Sequence, residues 1–406
     1  MKKKKKKKEE EENYVPKAFK KDKEKNKDKV EKNNKHKKKE KKGTKKKWRK
    51  GILVICVILI IGLGVYLGIS AQTWRKIAKE MIINENSIVL DSEGNEIAKL
   101  GCGRKNQKVT ISNVPDNLKN AYVAIEDQRF YTHSGVDIKR TGGAILSYIR
   151  HLGKSSFGGS TITQQLVKNL TGNSSDKITR KVGEWWKAWL LETELSKDEI
   201  LEAYFNIIYV GPNMYGVETA SQYYFSKTSS ELTLEECAFL AGINNAPKAY
   251  NPFGEKVNTE KITKRTKTVL DKMLELNYIS EDSYNTAISN VDKGLNFKKG
   301  TINAESAVYS YHTDALISEV TGDISKKYNI SETFATNYLY MAGLTIYSTQ
   351  DSSIQDKTEK EFEKTKYSLQ SKKDEKKSQA AMVIIDHKTG YVVGCVGGLG
   401  EKTEVR

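Results

Sequence analysis

Gly158-Gly159-Ser160-Thr161-Ile162-Thr163-Gln164-Gln165-Leu166-Val167-Lys168-Asn169 is the stretch on which the reading of this chain turns. Adjacent glycines free the backbone for positive φ or for close approach to a ligand. The hydroxyls and amides that follow compete with backbone hydrogen bonding, so an ordinary buried helix avoids them. Two readings fit: a turn into a helix capped by Ser160 or Thr161, or a surface that grips something polar, with Lys168 adding a cation.

Working outward, the net charge of +18 is local: residues 1–50 hold 26 Lys/Arg against 9 Asp/Glu, a net +17, and the body is nearly balanced. That location argues against a nucleic-acid partner. The tail has too little apolar surface to offset its ordering entropy and is predicted to be disordered. Residues 51–74 then run without a charge as far as Arg75. About 20 apolar residues at 1.5 Å each cross a bilayer core of about 30 Å, and the run is too long and too far from the start for a signal-peptide core. Trp48 and Trp74 sit where interfacial aromatics belong, and the Lys-rich side is predicted to stay cytoplasmic with everything after Trp74 outside. The basic cluster also suits anionic lipid. The four cysteines are widely spaced, the five histidines scattered, and neither set has metal-binding spacing.

Residues 75–117 read as a short α/β lead-in with a hairpin turn at Asp91-Ser92-Glu93-Gly94-Asn95. A helix patterned on Leu118, Ala121, Tyr122 and Ile125 follows. From Val136 to Phe157 glycines interrupt a mix of apolar and basic residues, readable as a packed helix pair or as a mobile segment on the lipid surface. Next, Arg180 and Glu184 share a helix face with Lys181 adjoining, while Val182, Trp185 and Trp189 face elsewhere and are predicted to bury. Ser196-Lys197-Asp198-Glu199 and Thr233-Leu234-Glu235-Glu236 are capping boxes that open helices, and Leu195 and Ile200 are placed for a hydrophobic staple. From Leu118 to Phe253 nearly every periodic segment is helical, so the fold class is mainly α. Residues 256–378 are more polar and less patterned: a helix near Lys261–Leu276, a strand-like Leu344–Thr349 and a charged helix at Ile354–Leu369. Residues 380–386 and 391–396 flank the turn His387-Lys388-Thr389-Gly390 as a β-hairpin.

The motifs, taken together, carry a resemblance. Glu126-Asp127-x-x-Phe130-x-x-His133-x-Gly135, the Gly158–Gln165 stretch, Arg180-Lys181-x-x-Glu184, Glu199-Ile200-Leu201-Glu202-x-Tyr204-x-Asn206-x-x-Tyr209-x-Gly211 and Gly216-Val217-Glu218 follow in this order. Five motifs in order between Glu126 and Glu218 are far more specific than any one of them. The chain resembles the peptidoglycan glycosyltransferases, the lipid-II-polymerising domain of class A penicillin-binding proteins and of monofunctional transglycosylases. The resemblance implies a lysozyme-like helical domain over residues 80–255, behind a disordered tail (1–50) and a single transmembrane helix (51–74). An α/β linker (256–378) and an incomplete β-hairpin start of a transpeptidase domain (379–406) follow, as in a class A protein truncated there.

The implied reaction joins the 4-hydroxyl of a disaccharide-lipid to the anomeric carbon of the growing glycan with inversion, releasing undecaprenyl diphosphate. Glu126 matches the family's base and Glu184 its second acidic residue, which orients the cations or holds a divalent ion, Mg2+ or Mn2+. Lys168, Arg180 and Lys181 match the diphosphate side. Ser160, Thr163, Gln165, Asn169, Tyr209, Asp127 and His133 fall at substrate-binding positions. A further base common in the family is replaced here by Asp176, with Lys177 beside it. The implied partners are lipid II, the growing glycan, the membrane, and cell-wall synthesis or division proteins. Ser-x-x-Lys occurs only at Ser174-Ser175-Asp176-Lys177, inside the glycosyltransferase region, and Lys388-Thr389-Gly390 reads as a plain hairpin turn, so transpeptidase activity is not expected of the chain as given. The alternatives are a lysozyme-like hydrolase, which needs no diphosphate-side cations, and an inactive membrane scaffold, for which Glu126 and Glu184 would have no purpose.

Overall fold

A computed structural model describes residues 56–83, 85–101, 105–143, 159–172, 178–211, 214–302, 308–367, 369 and 377–403. The expectations for residues 1–50, for most of Val136–Phe157, and for Asp176 and Lys177 lie outside the described residues. The chain divides into two units, residues 1–70 and 71–406.

In the first unit the described residues are helical, and residues 56–69 are exposed. They begin helix α1 (Cys56–Ile82), among the described residues the one helix long and apolar enough to cross a membrane. The second unit opens with the remainder of α1, whose Trp74, Ile77, Ala78 and Met81 are buried. Trp74, expected at a lipid interface, instead lies inside the protein. Its indole Nε1 donates to the Lys187 carbonyl at 3.1 Å, a buried partner that an indole N–H requires.

Helices dominate the second unit. Helix α2 (Asp116–Glu126) packs against α7 (Leu234–Ile243) and α8 (Thr259–Glu275), which also pack on each other. It buries Leu118, Ala121, Tyr122, Val123 and Ala124, and the Tyr122 hydroxyl donates to the Leu240 carbonyl at 3.0 Å. Helix α3 (Ile162–Thr171) packs on α4 (Ile178–Glu192) and α5 (Lys197–Ile207), and α5 in turn packs on α6 (Val217–Phe225). Both capping boxes form: Ser196 N donates to Glu199 Oε2 at 2.7 Å, and Thr233 N to Glu236 Oε2 at 2.9 Å. The region that reads as polar and unpatterned holds more helix than its sequence suggests. Helices α9 (Glu281–Lys293), α10 (Tyr311–Tyr328), α11 (Glu332–Met341) and α12 (Ser352–Phe362) follow α8, and α12 ends well short of Leu369.

The sheets are small, and one of them joins β3 (Lys105–Asn106), β5 (Met214–Tyr215) and β4 (Tyr209–Gly211) in that order. The 91–95 turn joins β1 (Ile88–Leu90) to β2 (Glu96–Lys99) antiparallel, and β6 (Thr345–Tyr347) adds to β1 in parallel. Ser352 Oγ donates to Asp91 Oδ2 at 2.6 Å. That bond, with the Asn95 and Glu93 donors, outweighs burial and holds the Asp91 carboxyl at about 2. The stability it supplies is present above the usual carboxylate range and is lost as pH falls toward 2. Strands β7 (Met382–Ile385) and β8 (Val392–Val396) form the expected hairpin.

Candidate active site

Helix α2 ends at Asp127, and this ending builds the site. Asp127 is fully buried. Its Oδ2 accepts from the Ile162 amide at 3.0 Å and lies 2.9 Å from His133 Nε2. A carboxylate there satisfies an orphan N–H at the start of α3 and lies favourably in the helix dipole. The end of one helix is thus tied to the start of another, which sets Glu126 against Gln165, one turn into α3.

The Glu126 carboxylate lies in a closed ring of hydrogen bonds. Gln165 Nε2 donates to Glu126 Oε2 at 2.7 Å, and Asn244 Nδ2 donates to Oε1 at 3.2 Å. Asn244 Nδ2 also donates to the Tyr204 hydroxyl at 2.9 Å, which in turn donates to Gln165 Oε1 at 3.1 Å. An ionised carboxylate only accepts, so both amides must turn their nitrogens toward it. Burial first, and then the Glu126 charge, push the Tyr204 hydroxyl well above its usual range. It therefore stays a neutral link in the ring. On the other side, Arg140 Nη1 donates to the Glu126 backbone carbonyl.

A second cluster forms on α4. Arg180 Nη1 donates to Glu184 Oε1, and Lys181 Nζ lies 2.9 Å from Glu184 Oε2. The Glu184 side chain is 4% exposed and those of Arg180 and Lys181 are 11% and 14%, so this is no solvent-screened surface pair. Lys181 Nζ also donates to Ser160 Oγ at 2.7 Å. Ser160 stands just ahead of α3 and Gln165 within it, so one short stretch touches both clusters. Lys168 follows Gln165 by three residues on the same helix face and is exposed.

The hydroxyl-rich stretch therefore divides between its two readings: Thr161 caps α3, and only part of the stretch faces the two clusters. Thr161, Thr163 and Gln164 are buried and their polar groups bond inside the protein. Thr161 Oγ1 donates to the Gly135 carbonyl at 2.7 Å and accepts the Gln164 amide at 3.1 Å. Thr163 Oγ1 donates to Glu192 Oε1 at 2.6 Å. Glu192 also holds Lys197 Nζ at 2.7 Å and lies 3.9 Å from His133 Nδ1. Asp127 and Thr163 thus hold the site's frame and present no surface to a ligand, with His133 between them. At Gly135 (φ +81°) an added Cβ would stand 2.6 Å from the Ala188 carbonyl group, so glycine lets α4 approach this loop.

Of the other sequence-derived residues, Asn169 is half-buried on α3. Tyr209 meets Tyr215 edge-on at 5.7 Å and makes no hydrogen bond to either cluster among the described residues. Asn206 serves the frame: its side chain exchanges two 2.8 Å bonds with the Val109 backbone. Of the side chains expected to bury on α4, Trp185 is half-buried and the other two are not. Val182 and Trp189 are exposed beside Trp186, whose ring stacks on Trp189 at 5.2 Å. With Trp185, Val136 and Ile138 they line a cavity of about 820 Å³.

Glu184 is the residue expected to orient the cations or to hold a divalent ion. Both its oxygens already face cations, and among the described residues no group of three His, Cys, Asp or Glu side chains could hold a metal. The sequence reading missed Asn244 and left Tyr204 without a role.

The "Transglycosylase" family model matches residues 93–274. Penicillin-binding protein 1A of Clostridium botulinum (strain Langeland) is 39% identical over 379 residues, covering 89% of this chain and 46% of that protein. The protein of the same name from Clostridium perfringens (strain 13) is 38% identical over 370 residues, 87% and 54% respectively. Penicillin-binding protein 1A/1B of Bacillus subtilis (strain 168) is 36% identical over 319 residues, 78% and 33%. The chain spans about half the length of the first of these relatives. The crystal structure of penicillin-binding protein 1A from Haemophilus influenzae aligns with a TM-score of 0.29 at 20% identity, covering 70% of this chain and 30% of that one, too weak a likeness to carry an argument.

Proposed function

The chain carries a transglycosylase-family domain over residues 93–274, and from that footing we propose that it is a peptidoglycan glycosyltransferase that polymerises lipid II. The observation that carries the reading is the pairing of one amide-held carboxylate with one group of cations, both touched by the stretch Ser160–Lys168.

A sugar hydroxyl attacks well only if a base takes its proton as the bond forms, and a positioned base contributes about 10²–10⁴-fold. Glu126 is that base. The Gln165 and Asn244 donors fix both its oxygens, so its orientation is set before substrate arrives. The bond from the anomeric carbon to the diphosphate oxygen breaks as the new glycosidic bond forms. Charge then gathers on the departing diphosphate and calls for fixed cations. Lys168, Arg180 and Lys181 supply them, and an arginine fork matches phosphate oxygens with two parallel bonds. Glu184 orients Arg180 and Lys181; with both oxygens so engaged, it is no second nucleophile. A hydrolase would have no use for these cations.

Helix α1 anchors the domain, with the Lys-rich segment on the cytoplasmic side. The exposed Trp186, Trp189 and Val182 suit the headgroup level of a bilayer, where aromatic side chains gather.

The full chain in detergent, given lipid II, is expected to form glycan strands and release undecaprenyl diphosphate, followed by gel electrophoresis and phosphate analysis. Cleavage of finished glycan with no polymer formed would overturn the reading.

A further inference from the structure

Helix α11 lies beyond the residues that match the transglycosylase family, yet it touches both helices that carry the site. It packs on α3. Asn337 Nδ2 donates to the Leu170 carbonyl at 3.1 Å and reaches the Asn169 carbonyl at 3.5 Å. These belong to the last turn of α3, where carbonyls have no partner within the helix. Gly172 closes that turn in the left-handed region, φ +64°, and its N–H returns to Lys168 O at 2.9 Å. A Cβ at Gly172 would stand 2.6 Å from Thr333 Cγ2 and 3.0 Å from Asn337 Nδ2, so the approach of α11 uses the space that glycine leaves.

On its neighbouring face α11 meets α4. Lys187 Nζ lies 5.1 Å from the Trp74 ring centroid and 5.4 Å from that of Phe334, and the two rings are 5.8 Å apart. An ammonium held between aromatic faces away from water is a favourable contact. Tyr338 completes the junction by donating its hydroxyl to Glu80 of α1. Burial lowers the Lys187 ammonium from its usual range, with Glu184 opposing.

We propose that α11 is a positioning element of the active site. Asn337 caps α3, and Phe334 with Trp74 clasps Lys187 of α4. Together they hold the Gln165–Lys168 face of α3 in register with the Arg180, Lys181 and Glu184 cluster of α4. The inference rests on reading those side chains as transferase machinery. Neither Asn337 nor Phe334 touches substrate; they act through the helices they hold. Loosening the junction lets Gln165 drift from Glu126 and Lys168 from the departing diphosphate, which costs the transition state more than the bound substrate.

The test compares Asn337→Ala with Asn337→Asp in the full chain. Alanine removes the cap. Aspartate keeps the shape but sets an acceptor and a negative charge against carbonyls at the negative end of a helix dipole, which is worse. Amide hydrogen exchange over residues 168–172 is expected to quicken in the order wild type, Ala, Asp. Turnover should fall in the same order, by about tenfold for Asp, with KM for lipid II changed by less than about twofold. A purely packing role would make alanine, which deletes more atoms, the more damaging change; that order, or unchanged exchange in both variants, would overturn the proposal. Exchange needs no catalysis. A wild-type chain that made no glycan would count against the proposed function, while the exchange pattern would still decide the clamp.

Discussion

Glu126→Gln is expected to lower the rate of glycan formation by about 10²–10⁴-fold, the contribution of a positioned base. Glutamine keeps the size and the half-buried position of the side chain but cannot take a proton from a sugar hydroxyl. The surrounding ring limits the structural damage. Gln165 and Asn244 now donate to Glu126, and either amide can rotate to present its oxygen to the new NH2 group. A mismatched hydrogen bond costs about 1–3 kcal/mol at most, too little to unfold the domain. Initial polymerisation rates measured beside thermal melting separate the two effects. Activity within about tenfold of wild type in a folded variant would remove Glu126 from its role.

Arg180→Ala carries the second large effect, and here chemistry and stability move together. Losing one fixed donor to developing charge costs about 10²–10³-fold. The substitution also leaves Glu184, 4% exposed, with Lys181 as its remaining cation. Stripping one partner from a buried pair costs about 3–5 kcal/mol when the other charge is left bare, and less here because Lys181 stays. Arg180→Lys keeps the charge and loses the planar fork, so it should recover most of the stability and only part of the rate. Melting temperature and the turnover of the folded fraction decide between roles. If alanine lowers the melting point while the folded fraction turns over normally, Arg180 is structural and the diphosphate is held elsewhere.

What the sequence disclosed, and what it hid, follows from how far each interaction reaches. The capping boxes at Ser196 and Thr233 and the turns at 91–95 and 387–390 are local, and each formed where the residues placed it. Glu126, Gln165, Arg180, Lys181 and Glu184 stand in motifs whose order was readable, and the fold brings them into two clusters joined by one helix start, with Lys168 exposed on that same helix. Asn244 was invisible because it reaches Glu126 from 118 positions away, with no spacing to betray it. The parallel pairing of Ile88 with Thr345 is hidden for the same reason. The polar region after residue 256 concealed its helices because their buried stripes are thin; α9 buries only Ala287 and Val291 among its thirteen residues. Thr163 and Asp127 misled in the opposite sense. Their polarity suggests ligand contact, whereas burial with partners such as Glu192 and the Ile162 amide spends that polarity inside the frame.

Under the proposed function one carboxylate is the base and the other is locked between two cations, so the glycosyl group is expected to pass directly to the acceptor without a covalent intermediate on the enzyme. The anomeric configuration of the new linkage reports this most directly. Proton NMR of glycan made by the full chain should show the configuration inverted from that of the lipid-linked donor, as direct displacement requires. Retained configuration would require a second carboxylate acting as nucleophile, and would contradict the account at its centre.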